Sequence, residues 1–270
     1  KTDFSEQAEK TDWPTYRHDA TRSSYTEYEV PTVLKQTWQT ELGGKLSSLV
    51  VVNGIVLVAS VDTHTVYALD AENGKQLWNY TAGGRVDSPP TVYKGLVLFG
   101  SADGYAYCLR SSDGELVWRF RAAPDDRRLV AYGQLESAWP IHGSVLVKDD
   151  VVYFSAGRSS FLDGGLYLYR LDPMTGKMLS EKCISGRDLE TGEEPKEIIR
   201  GVNMPGALPD VLSSDGKSVY MRHRRFDSNL VEQEQNVSHL FSPAGFLDGT
   251  WWHRTYWIFG TDMVSGWGGW

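Results

Sequence analysis

The sequence of 270 residues contains only two cysteines, Cys108 and Cys183, and they are not adjacent. Two cysteines neither require nor exclude a disulfide, so the redox compartment stays open. Cys108 lies on an alternating apolar stretch, where a small buried side chain is expected. The six histidines are scattered, and none has the close spacing to cysteine or carboxylate that a metal site requires. The sequence therefore predicts no metal site.

Several motifs of catalysis and membrane insertion are missing as well. No window approaches the run of about 18 apolar residues that a membrane span needs. There is no G-x-S-x-G nucleophile motif, no P-loop and no dinucleotide-binding fingerprint. A formal net charge of −8 argues against a broad nucleic-acid surface, which is normally basic. The first residues are charged rather than apolar, so we expect a mature chain from which a signal peptide has been removed.

The chain does contain a repeated pattern. VYALDAENGKQLW ends at Trp78 and AYCLRSSDGELVW ends at Trp118, forty residues later. Trp38 lies forty residues before Trp78, and a weaker copy, LYLYRLDPMTGKML, begins at Leu166. A period of about 40 residues with β-type alternation is typical of one four-stranded propeller blade per repeat. Within the first copy, the dipeptide Asn53-Gly54 between two apolar runs predicts a type I′ hairpin turn.

These repeats predict an all-β propeller of four-stranded antiparallel blades. We expect about four blades, at 45–80, 86–121, 137–183 and from 208 to about 260, after an unpaired outer strand around Trp38. Residues 1–12 are expected to be flexible and residues 13–270 to form the propeller domain. Because four blades plus one strand do not close a ring simply, the chain is predicted to be part of a propeller of roughly seven or eight blades. Further blades or another chain would cover the open edge.

The repeat, with Tyr and Leu ahead of a turn glycine and Trp four residues after it, resembles the pyrroloquinoline-quinone-like (PQQ-like) propeller repeat. The resemblance implies that the tryptophan of the outermost strand docks between adjacent blades. The family often has Asp directly after the Leu of the repeat. Asp70 and Asp172 match this pattern, whereas Arg110 departs from it. The matching tryptophans and turn glycines are Trp38, Trp78, Trp118, Gly74, Gly114 and Gly176.

Two further segments are similar to an extracytoplasmic bacterial subgroup that resembles the outer-membrane assembly propeller. They are DWPTYRHDATRSS, from Asp12, and QLESAWPIHGSVLV, from Gln134. This similarity implies a periplasmic or secreted protein. Quinoprotein dehydrogenases of the wider family hold their quinone between a stacking Trp and two adjacent cysteines, above a calcium ion. Cys108 and Cys183 do not form such a pair, so we expect no bound PQQ and no other cofactor.

Propellers place function on the loops between strands two and three and between blades. In this chain those loops carry charged and aromatic side chains, which we predict to form a face that grips an acidic or hydroxyl-rich ligand. The alternative for each of them is an ordinary solvated loop. The predicted residues are Asp62, His64, Arg85, Asp87, Arg127, Arg128, Tyr132, Glu136 and Arg158.

A second group of residues could support catalysis. MRHRRFD places His223 between arginines, and HRTYW brings together His253, Arg254 and Tyr256. A polysaccharide lyase uses a base, an acid and a group that neutralises the uronate of its substrate, and His, Tyr and Arg side chains can supply these three functions. The alternative is that MRHRR is an exposed strand and HRTYW a blade strand with one buried aromatic side, and the alternating pattern favours that alternative.

Taken together, these features predict a non-catalytic binding or scaffold propeller without bound PQQ. Its partner on the loop face would be a protein or a polysaccharide, and not a nucleic acid. Two alternatives stay open. One is a carbohydrate-active enzyme that resembles a polysaccharide lyase, and the other is a PQQ-dependent oxidoreductase.

Overall fold

The computed structural model describes residues 11–187, 190–193, 206–234, 236–247 and 257–261. The predicted flexible segment 1–12 lies outside these residues except for Thr11 and Asp12. Regular structure in the described residues consists of twenty β-strands, without an α-helix. Among the same residues, no helix is long and apolar enough to cross a membrane.

The first sheet shows how the repeat folds. It contains β1 (Val50–Val52), β2 (Ile55–Ser60), β3 (Thr65–Asp70) and β4 (Gln76–Thr81), paired antiparallel in that order. The apolar β2 is almost fully buried, whereas β4 alternates between buried and exposed residues because it lies at the outer rim. Asn53 and Gly54 join β1 and β2 with positive φ angles of 49° and 74°, as a type I′ turn requires.

The next three sheets follow the same order. The second contains β5 (Thr91–Tyr93), β6 (Leu96–Gly100), β7 (Tyr105–Arg110) and β8 (Leu116–Arg121). A hairpin of β9 (Arg128–Ala131) and β10 (Gln134–Ser137) comes next. The third sheet contains β11 (Leu146–Lys148), β12 (Val151–Ala156), β13 (Leu166–Leu171) and β14 (Met178–Ile184). The fourth contains β15 (Ser213–Ser214), β16 (Val219–Met221), β17 (Arg224–Phe226) and β18 (Glu232–Gln233).

The predicted architecture of four-stranded antiparallel blades is confirmed, but the expected extent of the fourth blade was wrong. That blade is complete at β18, and β19 (His239–Phe241) pairs with β20 (Ile258–Gly260) in a separate sheet. The strands of the fourth blade are only two or three residues long, so they carry little of the period-2 pattern on which the prediction depended.

The apolar core lies between neighbouring blades. Phe99 and Tyr107 stack with ring centroids 5.2 Å apart in the cluster that joins the first and second blades. Phe154 and Tyr169 make the equivalent contact at 5.5 Å in the cluster that joins the second and third. Burial of such large rings at each junction is the main apolar contribution that holds the blades side by side.

Each tryptophan of the repeat contacts the turn of the following blade. The indole Nε1 of Trp78 donates a hydrogen bond to the carbonyl of Ser111 at 2.8 Å. Its ring covers Gly114, where a Cβ atom would lie 2.6 Å from the ring. Trp118 and Trp38 make equivalent bonds at 2.8 and 2.9 Å. Trp38 does so although its segment is not hydrogen-bonded into any sheet of the described residues.

The third blade has Ser180 where the repeat calls for tryptophan, and other contacts join it to the fourth blade. The hydroxyl of Tyr153 donates to the carbonyl of Ser228 at 3.1 Å. Arg170 Nη1 donates to the side chain of Asn229 at 2.9 Å. Polar bonds to the β17–β18 turn thus occupy the place of the missing indole.

The segment from Asp12 to Arg22 crosses the first strands of several blades. Trp13 pairs with β1, and the carbonyl of Pro14 accepts a hydrogen bond from β5 at 2.7 Å. Further along, the carbonyl of Ala20 accepts a hydrogen bond from β15 at 2.8 Å. The segment therefore ties the first, second and fourth blades together, a role that its sequence pattern did not indicate.

Arg22 completes this crossing from a buried position. It is 3% exposed, and its Nε donates to the carbonyl of Leu212 at 3.0 Å. Its Nη groups donate to Thr15 Oγ1 at 2.8 Å and to the carbonyl of Val145 at 3.4 Å. Burial lowers the pKa of the guanidinium to about 10, so Arg22 is charged at neutral pH and depends on these oxygens for compensation.

Candidate functional site

A cavity of about 1190 Å³ opens among the loops that precede the first strands, and we call it the channel cavity. Each first strand has a polar residue within the five positions before it that lines this cavity. The loops before the first strands of all four blades face this cavity, which explains why side chains so far apart in the sequence converge. The four residues are Lys45, Asp87, His142 and Asp210.

Most of the predicted ligand-binding face lies at this cavity. Arg127 instead forms an ion pair with Asp163 at 3.3 Å, and Arg128 forms one with Asp126 at 3.3 Å, so neither lines it. His64 lies beside it, bonded to Gln134. The predicted residues that do line the cavity are Asp62, Arg85, Asp87, Tyr132, Glu136 and Arg158.

Glu136 holds two of the arginines. Its side chain is fully buried, Arg85 Nε donates to Oε1, and Arg158 Nη2 donates to Oε2 at 2.8 Å. The guanidinium of Arg85 also lies 4.0 Å from the ring centroid of Tyr132. Two guanidinium groups share one carboxylate, so this wall of the cavity carries one positive charge that is not neutralised locally.

The β9–β10 hairpin that carries Glu136 also reaches the first blade. Gln134 Oε1 lies 2.6 Å from His64 Nε2, and Gln134 Nε2 donates to the carbonyl of Asp62 at 3.1 Å. These bonds and the Glu136 ion pairs hold the hairpin across the loops of three blades. Its outward apolar side chains are nevertheless exposed, namely Val130 at 74%, Tyr132 at 80% and Leu135 at 56%.

His142 and Asp87 form a half-buried pair that the sequence did not reveal. His142 Nδ1 lies 2.7 Å from Asp87 Oδ2, and Asp87 Oδ1 accepts hydrogen bonds from Gly143 N and Ser88 Oγ. Burial alone would lower the pKa of His142, but the carboxylates of Asp87 and Asp210 outweigh it, so the pKa is raised. Burial would raise the pKa of Asp87, but His142 and these donors lower it.

Asp210 lies three residues before the first strand of the fourth blade, and it is 4% exposed. Its Oδ1 accepts hydrogen bonds from Val211 N at 2.8 Å and Phe246 N at 2.9 Å. Its Oδ2 is buried and has no hydrogen-bond partner among the described residues. Burial raises the pKa of this carboxyl, against the opposing charge of Arg222. The sequence analysis missed Asp210 because the repeat fades in this blade.

The predicted catalytic residues are not brought together by the described part of the chain. His223 lies in the turn between β16 and β17, with its ring centroid 6.1 Å from that of Phe241, and is not part of the lining of the channel cavity. His253, Arg254 and Tyr256 lie outside the described residues. The lyase-like group therefore stays a prediction.

Neither of the two cysteines lines the channel cavity. Cys108 is buried in β7 and Cys183 is half-buried in β14, and both are free thiols. Burial raises the pKa of both thiols. No group of three or more His, Cys, Asp or Glu in the described ranges could hold a metal ion. The residues that this chain contributes do not match the adjacent-cysteine cradle of a quinone.

The region that carries the repeats matches a known protein family. A family model described as outer membrane protein assembly factor BamB matches residues 34–206. The chain belongs to this family. It is 34% identical over 99 residues to the BamB of Burkholderia pseudomallei, which covers 36% of this chain and 26% of that protein.

This BamB-family chain is also similar to quinone-dependent enzymes. It is 26% identical over 186 residues to the dehydrogenase subunit of a quinone alcohol dehydrogenase from Gluconobacter oxydans, over 62% of this chain and 24% of that protein. A solved quinohemoprotein alcohol dehydrogenase from Pseudomonas putida superposes with a TM-score of 0.56 at 20% identity, over 70% of this chain and 29% of that one. This last likeness shows the fold alone. The chain spans about a quarter of the length of these curated relatives.

Proposed function

We propose that this chain belongs to a non-catalytic binding propeller that works outside the cytoplasm and has a protein partner on its loop face. The family description, an outer membrane protein assembly factor, supports both the location and the kind of partner. The relatives named as quinone-dependent dehydrogenases keep a PQQ-dependent oxidoreductase as the alternative, and the lack of two adjacent cysteines in this chain favours the binding function.

The observation that carries the proposal is the β9–β10 hairpin. It presents Val130, Tyr132 and Leu135 to solvent while hydrogen bonds and ion pairs hold its backbone in place. Exposed apolar side chains on a fixed scaffold lose little conformational entropy when a partner covers them. Aromatic and aliphatic side chains in such a position are typical of the centre of a protein interface.

The ionisable groups near the hairpin fit recognition better than catalysis. Arg85 and Arg158 are both bound to Glu136, and His142 is bound to Asp87. A general acid or base must be able to exchange its proton with a substrate, whereas the Glu136 carboxylate is fully buried and both of its oxygens are bound by guanidinium groups. The pairs fix the shape of the loop face, and they do not present a nucleophile.

Site-specific photocrosslinking tests the proposal. A photoreactive amino acid replaces Val130 in cells that naturally make the protein, and crosslinked products are identified by mass spectrometry. As the control, the same group replaces Leu77, which is 49% exposed on the outer strand β4 of the first blade. We expect one defined protein to be crosslinked from position 130 and not from position 77. Crosslinking that is absent or equal at the two positions would contradict the proposal.

A further inference from the structure

The N-terminal crossing lies next to two of the loops that line the channel cavity. Arg22 bonds to the carbonyls of Val145 and Leu212, which follow His142 and Asp210 by only three and two residues. The cavity is lined by loops of all four blades. Its volume of about 1190 Å³ accommodates a small organic molecule together with water.

One wall of this pocket has hydrogen-bond donors without an acceptor among the described residues. Arg158 Nε is buried without a hydrogen-bond partner in the described part of the chain. Arg85 uses only its Nε on Glu136, and its two Nη groups make no hydrogen bond with any described residue. Because Glu136 orients both guanidinium groups, these donors are preorganised for a planar anion such as a carboxylate.

Asp210 offers an unpaired hydrogen-bond acceptor in the same cavity. Its Oδ2 is a buried acceptor without a partner in the described ranges, although the residue is 4% exposed and lines the same pocket. Leaving such an atom unpaired is unfavourable, and a bound ligand that donates a hydrogen bond to it would remove this cost. His142 and the Arg222 guanidinium lie close enough to influence the charge of Asp210.

The lining as a whole is close to neutral. Four basic residues and four acidic residues contribute to it, besides His142. A multiply charged anion would therefore meet repulsion from the acidic groups, whereas a single carboxylate needs only the surplus positive charge beside Glu136. A ligand with one carboxylate and one hydrogen-bond donor could therefore bond both to the two arginines and to Asp210.

We propose that the channel cavity binds a small organic carboxylate that also carries a hydrogen-bond donor, either a hydroxyl or an ammonium group. The carboxylate bonds to Arg85 and Arg158, and the donor bonds to Asp210 Oδ2. The cavity shares Tyr132 and Glu136 with the hairpin, but the small ligand would bind inside the cavity and the protein partner would cover Val130 and Leu135. Titration and crosslinking therefore test the two proposals separately.

Isothermal titration of the purified chain with four matched six-carbon probes tests it. D-gluconate carries a carboxylate and hydroxyls, and 6-aminohexanoate carries a carboxylate and an ammonium group. Hexanoate lacks the donor and D-sorbitol lacks the carboxylate. We expect saturable binding of gluconate or 6-aminohexanoate, at least about tenfold tighter than that of hexanoate and sorbitol. Which of the two binds identifies the donor. Failure of both to bind would overturn the proposal.

Three variants test whether the ligand binds in the channel cavity. Asp210→Asn keeps a side-chain oxygen for Val211 N and Phe246 N but replaces the free acceptor with a donor, and we expect about tenfold weaker binding. Arg158→Lys keeps the charge beside Glu136 but loses Nε, with a similar expected loss. Arg128→Gln removes an arginine outside the cavity and leaves the affinity unchanged. Equal affinity in all three variants would overturn the assignment, and circular dichroism confirms that each is folded.

Discussion

Replacing Gly114 with alanine tests whether the tryptophan contacts hold neighbouring blades together. Gly114 has a φ angle of +73°, and a Cβ atom there would lie 2.6 Å from the ring of Trp78. Gly54 provides a matched control, because its φ angle is +74° and a Cβ atom there would meet nothing within 4 Å. Both substitutions force alanine into the left-handed region, but only one displaces an indole that is bonded to the next blade.

The expected magnitudes follow from these two contacts. Left-handed backbone costs an L-residue about 1–2 kcal/mol, which is the whole expected loss of unfolding free energy for Gly54→Ala. Overpacking a close contact adds about 1–3 kcal/mol, so Gly114→Ala should lose about 2–5 kcal/mol. Because Trp78→Ala removes the ring, Gly114→Ala in that background should cost no more than Gly54→Ala does.

Urea unfolding followed by far-ultraviolet circular dichroism measures the three differences on one scale. We expect the midpoint to fall further for Gly114→Ala than for Gly54→Ala, and the extra loss to vanish in the Trp78→Ala background. Equal losses at the two glycines would refute the docking role of the indole. An extra loss that persists without Trp78 would assign the effect to another neighbour of Gly114.

Three further predictions concern buried polar groups. Arg22→Met should lower the free energy of unfolding by at least about 3 kcal/mol in chemical denaturation, since it removes the buried hydrogen bonds to Thr15, Val145 and Leu212. The pKa of His142, measured by NMR, should exceed its usual value and fall in Asp87→Asn. Because the folded-state pKa is raised, the stabilisation by His142 is complete below its unfolded-state pKa and is lost as pH rises through the folded-state pKa. A thiol reagent should modify half-buried Cys183 in the folded protein, and Cys108 only after denaturation.

The blades could be predicted from sequence because their signals are local. Alternation, the turn at Asn53-Gly54 and the spacing to Trp78 all lie within one repeat, so each reinforces the others. The contacts at a blade junction that lacks the tryptophan could not be predicted from sequence. Nothing about Ser180 indicated that Arg170 would bond to Asn229 of the next blade.

The candidate site could be predicted only as a set of loops. The loop positions of Arg85, Glu136 and Arg158 follow from the blade pattern. That both arginines bind the buried carboxylate of Glu136 depends on how the blades are arranged in space. His142 was missed because the polar residue before each first strand changes type from blade to blade. The bond from Arg22 to Leu212 joins residues 190 positions apart, and no periodic pattern reports such a contact.

Titration of the purified chain with PQQ and calcium, followed by ultraviolet-visible absorption, tests the central claim most directly. The account predicts no stoichiometric bound-quinone spectrum and no reduction of an electron-accepting dye when alcohols are added, because neither cysteine lies at the channel cavity and the pair is not adjacent. A stoichiometric quinone spectrum, accompanied by alcohol-dependent dye reduction, would contradict the non-catalytic binding function.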